Sequence, residues 1–220
     1  MTSTDTAANP TERLKAGMVQ VTPFQQNCTL VWDEASKRGV VVDPGGDLPR
    51  IKAAIAQVGM KVEAILLTHG HTDHAGGAAE LKEDLGVEVI GPHLADKFLL
   101  DDLANNRFGL PARAITPDRW LAEGDTVTIA GRPFAIFHCP GHSPGSVVFF
   151  SAEQRFALVG DVLFAGSIGR TDFPYGDHPA LIDAIKRKLL PLGDDVAFIC
   201  GHGPTSTFGR ERESNPFLNE

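Results

Sequence analysis

Cysteine is scarce in this chain. Cys28, Cys139 and Cys200 are the only three in 220 residues, an odd number with no short paired spacing, so a disulfide framework is not expected and buried free thiols are. Positive charge is also in deficit. Twenty Lys and Arg against 28 Asp and Glu leave a formal net charge of -8, which disfavours nonspecific binding to nucleic acid or to an anionic membrane. No apolar stretch approaches the roughly 20 residues of a membrane span, and no basic start leads into an apolar signal segment. A cytoplasmic location is the resulting expectation. Repeats and low-complexity tracts are absent, and Tyr175 is the single tyrosine.

What is present is enough apolar material, 42% of the residues, to bury one large core. Residues 12–220 are expected to form a single domain. Residues 1–11, a mixture of Ser, Thr, Asp, Asn and Pro, are expected to be a flexible tail. Apolar patterning places strands at 17–22, 27–32, 39–43, 62–67 and 87–90, then at 126–130, 134–138, 147–151, 156–159 and 196–200. Helical spacing starts at Leu48 and runs to Gly59, and it returns over 75–85 and 179–190, the last with Asp177 or His178 at the cap and Pro179 in the first turn. The stretch 92–112 reads as helix plus loop. Strands of antiparallel character alternating with separated helices predict two packed sheets covered by helices, an α+β fold.

The densest chemistry is the segment Thr68-His69-Gly70-His71-Thr72-Asp73-His74, directly after an apolar strand. His69 and His71 can turn both rings toward one metal from an extended loop, whereas Asp73 and His74 fall where the next helix begins. Further polar candidates follow other apolar strands: His142, Asp161 and His202. Zinc accepts imidazole nitrogen and carboxylate oxygen and leaves a position for water with three protein ligands. Seven candidates exceed the need of one such site and favour two adjacent metals. Each has a plainer reading: a lone histidine after a strand is usually a satisfied core or surface group. The Pro140–Ser146 run punctuates any loop with its Pro and Gly. Asp161 differs, because an ionised carboxylate left unpaired at a buried strand end would be costly and so asks for a cation.

These residues give the chain a resemblance to the metallo-beta-lactamase superfamily, and within it to the short bacterial glyoxalase II-like branch. The resemblance spans about Gly17 to Leu218. Its marks are HxHxDH at His69, His71, Asp73 and His74, HCPGHSPGS from His138 to Ser146, GDVLF from Gly160 to Phe164, GHGP from Gly201 to Pro204, and the GRERESNPFL ending. It implies an αββα sandwich of two mixed sheets flanked by helices, with the site at one edge. It further implies one metal on His69, His71 and His142, a second on Asp73, His74 and His202, and Asp161 bridging both. The expected cofactor is two Zn2+, with Fe or Mn as alternatives. A water shared by two such cations would be acidified and held facing a carbonyl, with Asp73 as ligand and orienter of that hydroxide.

The implied reaction is hydrolysis of a small-molecule thioester, an S-hydroxyacylglutathione such as S-lactoylglutathione, by a monomer or homodimer. Arg170, in the Gly169–Asp177 stretch, is a candidate for a bidentate contact to a substrate carboxylate, or else pairs with Asp172 or Asp177. Tyr175 is a candidate to close over substrate, or else packs its loop. Only 18 residues follow His202, so the C-terminal helical region that gives basic glutathione contacts in full-length glyoxalase II has no counterpart in the sequence, and reduced glutathione selectivity is expected. The enzymatic alternative is a persulfide dioxygenase with a single Fe2+ on His69, His142 and Asp161. Hydrolysis of another ester, lactone or amide is a third possibility, and a non-enzymatic metal-binding interaction protein the least favoured. Cys139, Cys200, His93 and His138 are read as packing or outer neighbours, and His178 as a helix-start residue.

Overall fold

The computed structural model describes residues 13–106 and 108–219. The tail expected over residues 1–11 lies outside the described residues. Two mixed sheets pack face to face. The N-terminal sheet holds β1 (Lys15–Val21), β2 (Gln26–Trp32), β3 (Arg38–Val42), β4 (Lys61–Leu66) and β5 (Glu88–Ile90) in that spatial order, with α1 (Leu48–Val58), α2 (Thr72–Ala75) and α3 (Ala78–Leu85) connecting its last strands. After α4 (Lys97–Asp101) comes the C-terminal sheet of β6 (Thr126–Ile129), β7 (Arg132–His138), β8 (Val147–Ser151) and β9 (Phe156–Gly160). The small β10 (Leu163–Phe164) and β11 (Ser167–Ile168) pair and α5 (His178–Ala184) then lead to β12 (Ala197–Cys200), β13 (Ser206–Thr207) and α6 (Phe208–Ser214). Its strand order is β13-β12-β9-β8-β7-β6.

The strands follow from period-two patterning with both faces buried. In β3, Val40 and Val42 face the opposite sheet while Val41 faces the helices; in β8, Val147 and Phe149 face inward while Val148 and Phe150 face α5 and α6. The result is three apolar layers. One lies between the sheets, around Phe134, Phe149 and Leu66; one joins the N-terminal sheet to α1 and α3 through Ile51, Ile65 and Leu81; one joins the C-terminal sheet to α5 and α6 through Leu181, Phe198 and Phe208. The expected αββα sandwich is therefore present.

Strand boundaries agree with the sequence reading to within two or three residues, but two helices differ. Residues 75–85 do not form one helix: the chain breaks between α2 and α3 at Gly76-Gly77. A Cβ on Gly77 would stand 2.6 Å from the Pro44 carbonyl oxygen, so the helix steps aside where the β3–α1 loop crosses it. The helix expected over 179–190 begins at His178, capped by the Asp177 carboxylate, which accepts from the Ala180 N–H at 2.9 Å. It passes at Ile185 into a wider turn that ends at Leu189. The helix α6 has no counterpart in the sequence reading.

Parallel pairing decides where the site falls. β3 runs parallel to β4, and β9 parallel to β12, so the C-terminal ends of all four strands open onto the same edge of the sandwich. Cross-sheet hydrogen bonds fasten that edge: Asn27 N–H donates to the Gly201 carbonyl at 2.7 Å, and Val147 N–H to the Thr68 carbonyl at 2.8 Å. No helix among the described residues is long and apolar enough to cross a membrane.

Phe149 is wholly buried between the sheets. Phe149→Ala should destabilise the fold by about 3–5 kcal/mol, read from the urea midpoint at unchanged slope.

Candidate metal centre

The ends of β4, β9 and β12, with α2 and the β7–β8 loop, bring all seven candidate ligands to one place. β4 delivers His69 and His71, α2 carries Asp73 and His74, the β7–β8 loop carries His142, β9 ends at Asp161, and β12 ends at His202. Two triads of these candidates could each hold an ion, His69 with His71 and His142, and Asp73 with His74 and His202; a third group, Asp43 with His69 and His74, overlaps both. Asp161 stands between them. Its Oδ1 is 3.3 Å from His74 Nε2, and its Oδ2 is 3.5 Å from His142 Nε2 and 3.6 Å from His202 Nε2.

The outer nitrogen of every imidazole has an acceptor, which decides which nitrogen faces inward. His142 Nδ1–H donates to the Arg170 carbonyl at 2.9 Å, and His202 Nδ1–H to the Phe24 carbonyl at 3.1 Å. A carbonyl can only accept, so the proton sits on Nδ1. His74 Nδ1 lies 2.9 Å from Asp43 Oδ2, His69 Nδ1 lies 3.0 Å from Thr68 Oγ1, and His71 Nε2 lies 2.8 Å from the Tyr175 hydroxyl. Thr68 Oγ1 in turn donates to Asp43 Oδ2 at 2.6 Å, leaving its lone pair toward His69. This is the support that metal-ligating histidines ordinarily have. Asp43 adopts φ 52° immediately after β3, an unusual backbone for a residue other than glycine, and this strained turn accompanies a carboxylate shared between Thr68 and His74.

The consequence is a set of inward lone pairs with nothing between them. His69 Nε2 and His71 Nδ1 are 3.0 Å apart, and His71 Nδ1 and His142 Nε2 are 2.9 Å apart. Neutral imidazoles with these tautomers repel at that distance, whereas ligands around a tetrahedral zinc at about 2.0–2.1 Å are spaced roughly 3.3 Å from one another. Asp161 Oδ1 is buried without a hydrogen-bond partner. A Cβ on Gly201 would stand 2.0 Å from that oxygen, so only glycine lets β12 pass. A buried carboxylate oxygen with no geometric hydrogen bond among the described residues, facing converging nitrogens with His74 Nε2 at 3.3 Å, fits a divalent cation or the protons that stand in for one.

Protons respond to the same field. Burial, reinforced by the charge of His142, takes the His71 imidazole down to about 3, and burial with His74 nearby holds His69 well below the usual histidine range. Burial opposes charge on His74 too, but the carboxylates of Asp161 and Asp73 outweigh it and hold its pKa well above the usual value. At His202 burial is likewise overcome, by the Asp73 hydrogen bond and the Asp161 charge, and the pKa rises. Burial would raise Asp161 and Asp73, but the neighbouring His74 charge, with further contributions from His142 and His202 at Asp161 and from the His202 hydrogen bond at Asp73, holds both below the usual carboxylate range. His69 and His71 of the first triad are thus held neutral at pH 7, while His74 and His202 of the second hold protons in the place of a cation.

Arg170 and Tyr175 both lie at the rim. The Arg170 guanidinium pairs with Asp172 at 2.6 and 2.7 Å and lies 4.5 Å from the Phe173 ring centroid, while its backbone carbonyl holds His142. Tyr175 stacks on Phe173 and packs edge-on to Phe98. Phe24 and Phe108 form a second aromatic pair at a ring separation of 5.0 Å, beside His202. Asp43 and Thr68 were not singled out from sequence. The signal available for Asp43 was its place at the end of an apolar strand, the same cue that marked Asp161. All three cysteines are buried free thiols, and Cys139 and Cys200 are pushed up to about 12 chiefly by burial.

The sequence model of the metallo-beta-lactamase superfamily matches residues 21–202. A hydroxyacylglutathione hydrolase, GloC, from Haemophilus influenzae is 48% identical over 206 residues, covering 92% of this chain and 97% of that protein. A probable metallo-hydrolase, YqgX, from Bacillus subtilis is 36% identical over 94% of this chain and 98% of that one. Among solved structures, the BLEG-1 B3 metallo-beta-lactamase superimposes with a TM-score of 0.87 at 34% identity, over 94% of this chain and 100% of that chain. TTHA1623 in a di-iron-bound form gives 0.81 at 40% identity, over 92% and 100%.

Ion binding at the second triad must displace protons from His74 and His202, whereas His69 and His71 in the first are held deprotonated by burial. Lowering the pH from 7.5 to 5.5 should therefore release zinc from the second site before the first. Zinc content after equilibrium dialysis at each pH should fall from two per chain toward one before any further loss.

Proposed function

The chain belongs to the metallo-beta-lactamase superfamily and is a metal-dependent hydrolase of its glyoxalase II-like branch, and from that premise we propose that it hydrolyses the thioester of S-hydroxyacylglutathiones such as S-lactoylglutathione at a binuclear zinc site. The observation that carries this reading is the pairing of two convergent triads across one buried carboxylate, Asp161, which faces histidines of both. The named activity of the 48% identical relative from Haemophilus influenzae supports the substrate class. In this reading His69, His71 and His142 would hold one ion and Asp73, His74 and His202 the other, with Asp161 facing both. Two divalent ions bound there supply Lewis acidity toward a thioester carbonyl and lower the pKa of a coordinated water to about 7.

The chain's own residues do the rest. Asp73 is the more open of the two site carboxylates, with a side chain 20% exposed against 9% for Asp161. Its low pKa keeps it ionised at neutral pH, so it can orient an attacking water and hold its proton. Phe173 and Tyr175 pack against His71, with Phe98 behind Tyr175, and Phe24 with Phe108 lies on the side of His202, so an acyl group entering the site would meet aromatic rings on both sides. Arg170 is the basic residue of the rim, and a substrate carboxylate exchanging with Asp172 would take its bidentate contact. Tyr175 contributes through its ring to the wall and through its hydroxyl to the orientation of His71.

Iron is the alternative metal, supported by the di-iron form of a protein 40% identical to this chain. A persulfide dioxygenase with one Fe2+ on His69, His142 and Asp161 would leave His71 out of a cluster into which its Nδ1 points. The likeness to ETHE1 from Myxococcus xanthus, at 21% identity and a TM-score of 0.78, concerns the fold alone.

Zinc-loaded protein should release free thiol from S-lactoylglutathione and show no oxygen uptake with glutathione persulfide. Asp73→Asn should lower kcat by about 10²–10⁴-fold. Oxygen uptake without thiol release would refute the thioesterase reading.

A further inference from the structure

A second fully buried carboxylate lies at this edge outside both triads. Asp96 sits in the turn that enters α4 and is entirely shielded from solvent. Its Oδ2 accepts from the Gly70 N–H at 2.8 Å and from the Ser143 hydroxyl at 2.7 Å, and its Oδ1 accepts from the Gly145 N–H at 2.5 Å. Gly70 is the residue between His69 and His71, and Ser143 and Gly145 follow His142. All three donors therefore come from the two loops that carry the first triad. The turn is closed further by His93 N–H donating to the Gly145 carbonyl at 3.1 Å and by Ser143 Oγ lying 2.7 Å from Ser146 Oγ.

The two loops need such a fastening. Without an ion, the inward nitrogens of His69, His71 and His142 stand 2.9–3.0 Å apart with lone pairs opposed, a repulsion that would splay the loops. A site that must be gathered at the moment of binding loses affinity to the gathering. The second triad has its own support, since Asp43 holds His74 and Thr68. Through Thr68, Asp43 also backs His69, but it is Asp96 that ties the His69–His71 loop to the loop of His142.

We infer that Asp96 is a positioning residue for the first triad: one carboxylate holding Gly70, Ser143 and Gly145 fixes the spacing between the His69–His71 pair and His142, and so sets the affinity of that site for its ion without touching it. The inference rests on the binuclear reading above. Asp96→Asn nearly preserves shape but turns one acceptor oxygen into an amide donor, which must then face a backbone N–H.

The test is zinc affinity by chelator competition, with folding checked by thermal melting, in two backgrounds. His202→Ala disables the second triad, so the remaining zinc reports the first; His142→Ala does the reverse. Asp96→Asn should weaken zinc binding about 10–100-fold in the His202→Ala background and leave it unchanged in the His142→Ala background. Equal weakening in both, or none in the first, overturns the inference. If Asp96→Asn does not fold, Ser143→Ala removes one of the three donors and should give a smaller weakening confined to the same background; no weakening there overturns the inference too. If His202→Ala or His142→Ala alone still binds two zinc ions, the binuclear reading itself falls, and the inference with it.

Discussion

Mutual repulsion among like groups is the constraint around which this edge of the molecule is arranged. Five imidazoles and two carboxylates converge, with neighbouring ligand atoms from 2.9 to 4.0 Å apart and most of the groups shielded from water. In a globular interior such a cluster is unstable unless each outer atom is held and each inner atom has a positive charge to face. The chain meets the first condition with acceptors behind every ring: two backbone carbonyls, a threonine, a tyrosine and Asp43. It meets the second partly with protons on His74 and His202, which is why those two groups are raised while His69 and His71 are lowered. A divalent ion in each triad would satisfy it fully.

The sandwich exists to hold that convergence still. Strands buried on both faces are rigid carriers, and the parallel pairs β3–β4 and β9–β12 direct their C-terminal ends to the same edge from different sheets. Ligands drawn from the two sheets meet only because the inner layer around Phe149 and Leu66 keeps the sheets in register. The glycines at the edge do related work: Gly77 lets α2 and α3 separate, and Gly201 lets β12 pass against Asp161.

How much of this could be read from residues depended on how local each signal was. HxHxDH is legible because four ligands crowd one turn, and His142, Asp161 and His202 because each follows an apolar strand. The division of the seven into two triads with Asp161 between them came from the family resemblance; the structure brings the members of each triad close together, along with a third group of Asp43, His69 and His74. Asp96 was not recognised, because a buried carboxylate that accepts from backbone N–H groups leaves no spacing pattern behind, and Asp43 was passed over although it shares the strand-end cue of Asp161. Arg170 and Tyr175 were read as facing substrate, yet each also turns an atom inward, a carbonyl to His142 and a hydroxyl to His71. Such contacts depend on long-range placement and are invisible in sequence. The break between α2 and α3 was missed for the same reason, since the obstacle at Gly77 is the distant Pro44 carbonyl.

The central claim is that the edge holds two ions side by side. Anomalous diffraction from zinc-loaded crystals tests it most directly. The account predicts two peaks, one bounded by His69, His71 and His142 and one by Asp73, His74 and His202, with Asp161 contacting both. A single peak at saturating zinc, or ions seated away from Asp161, would contradict it.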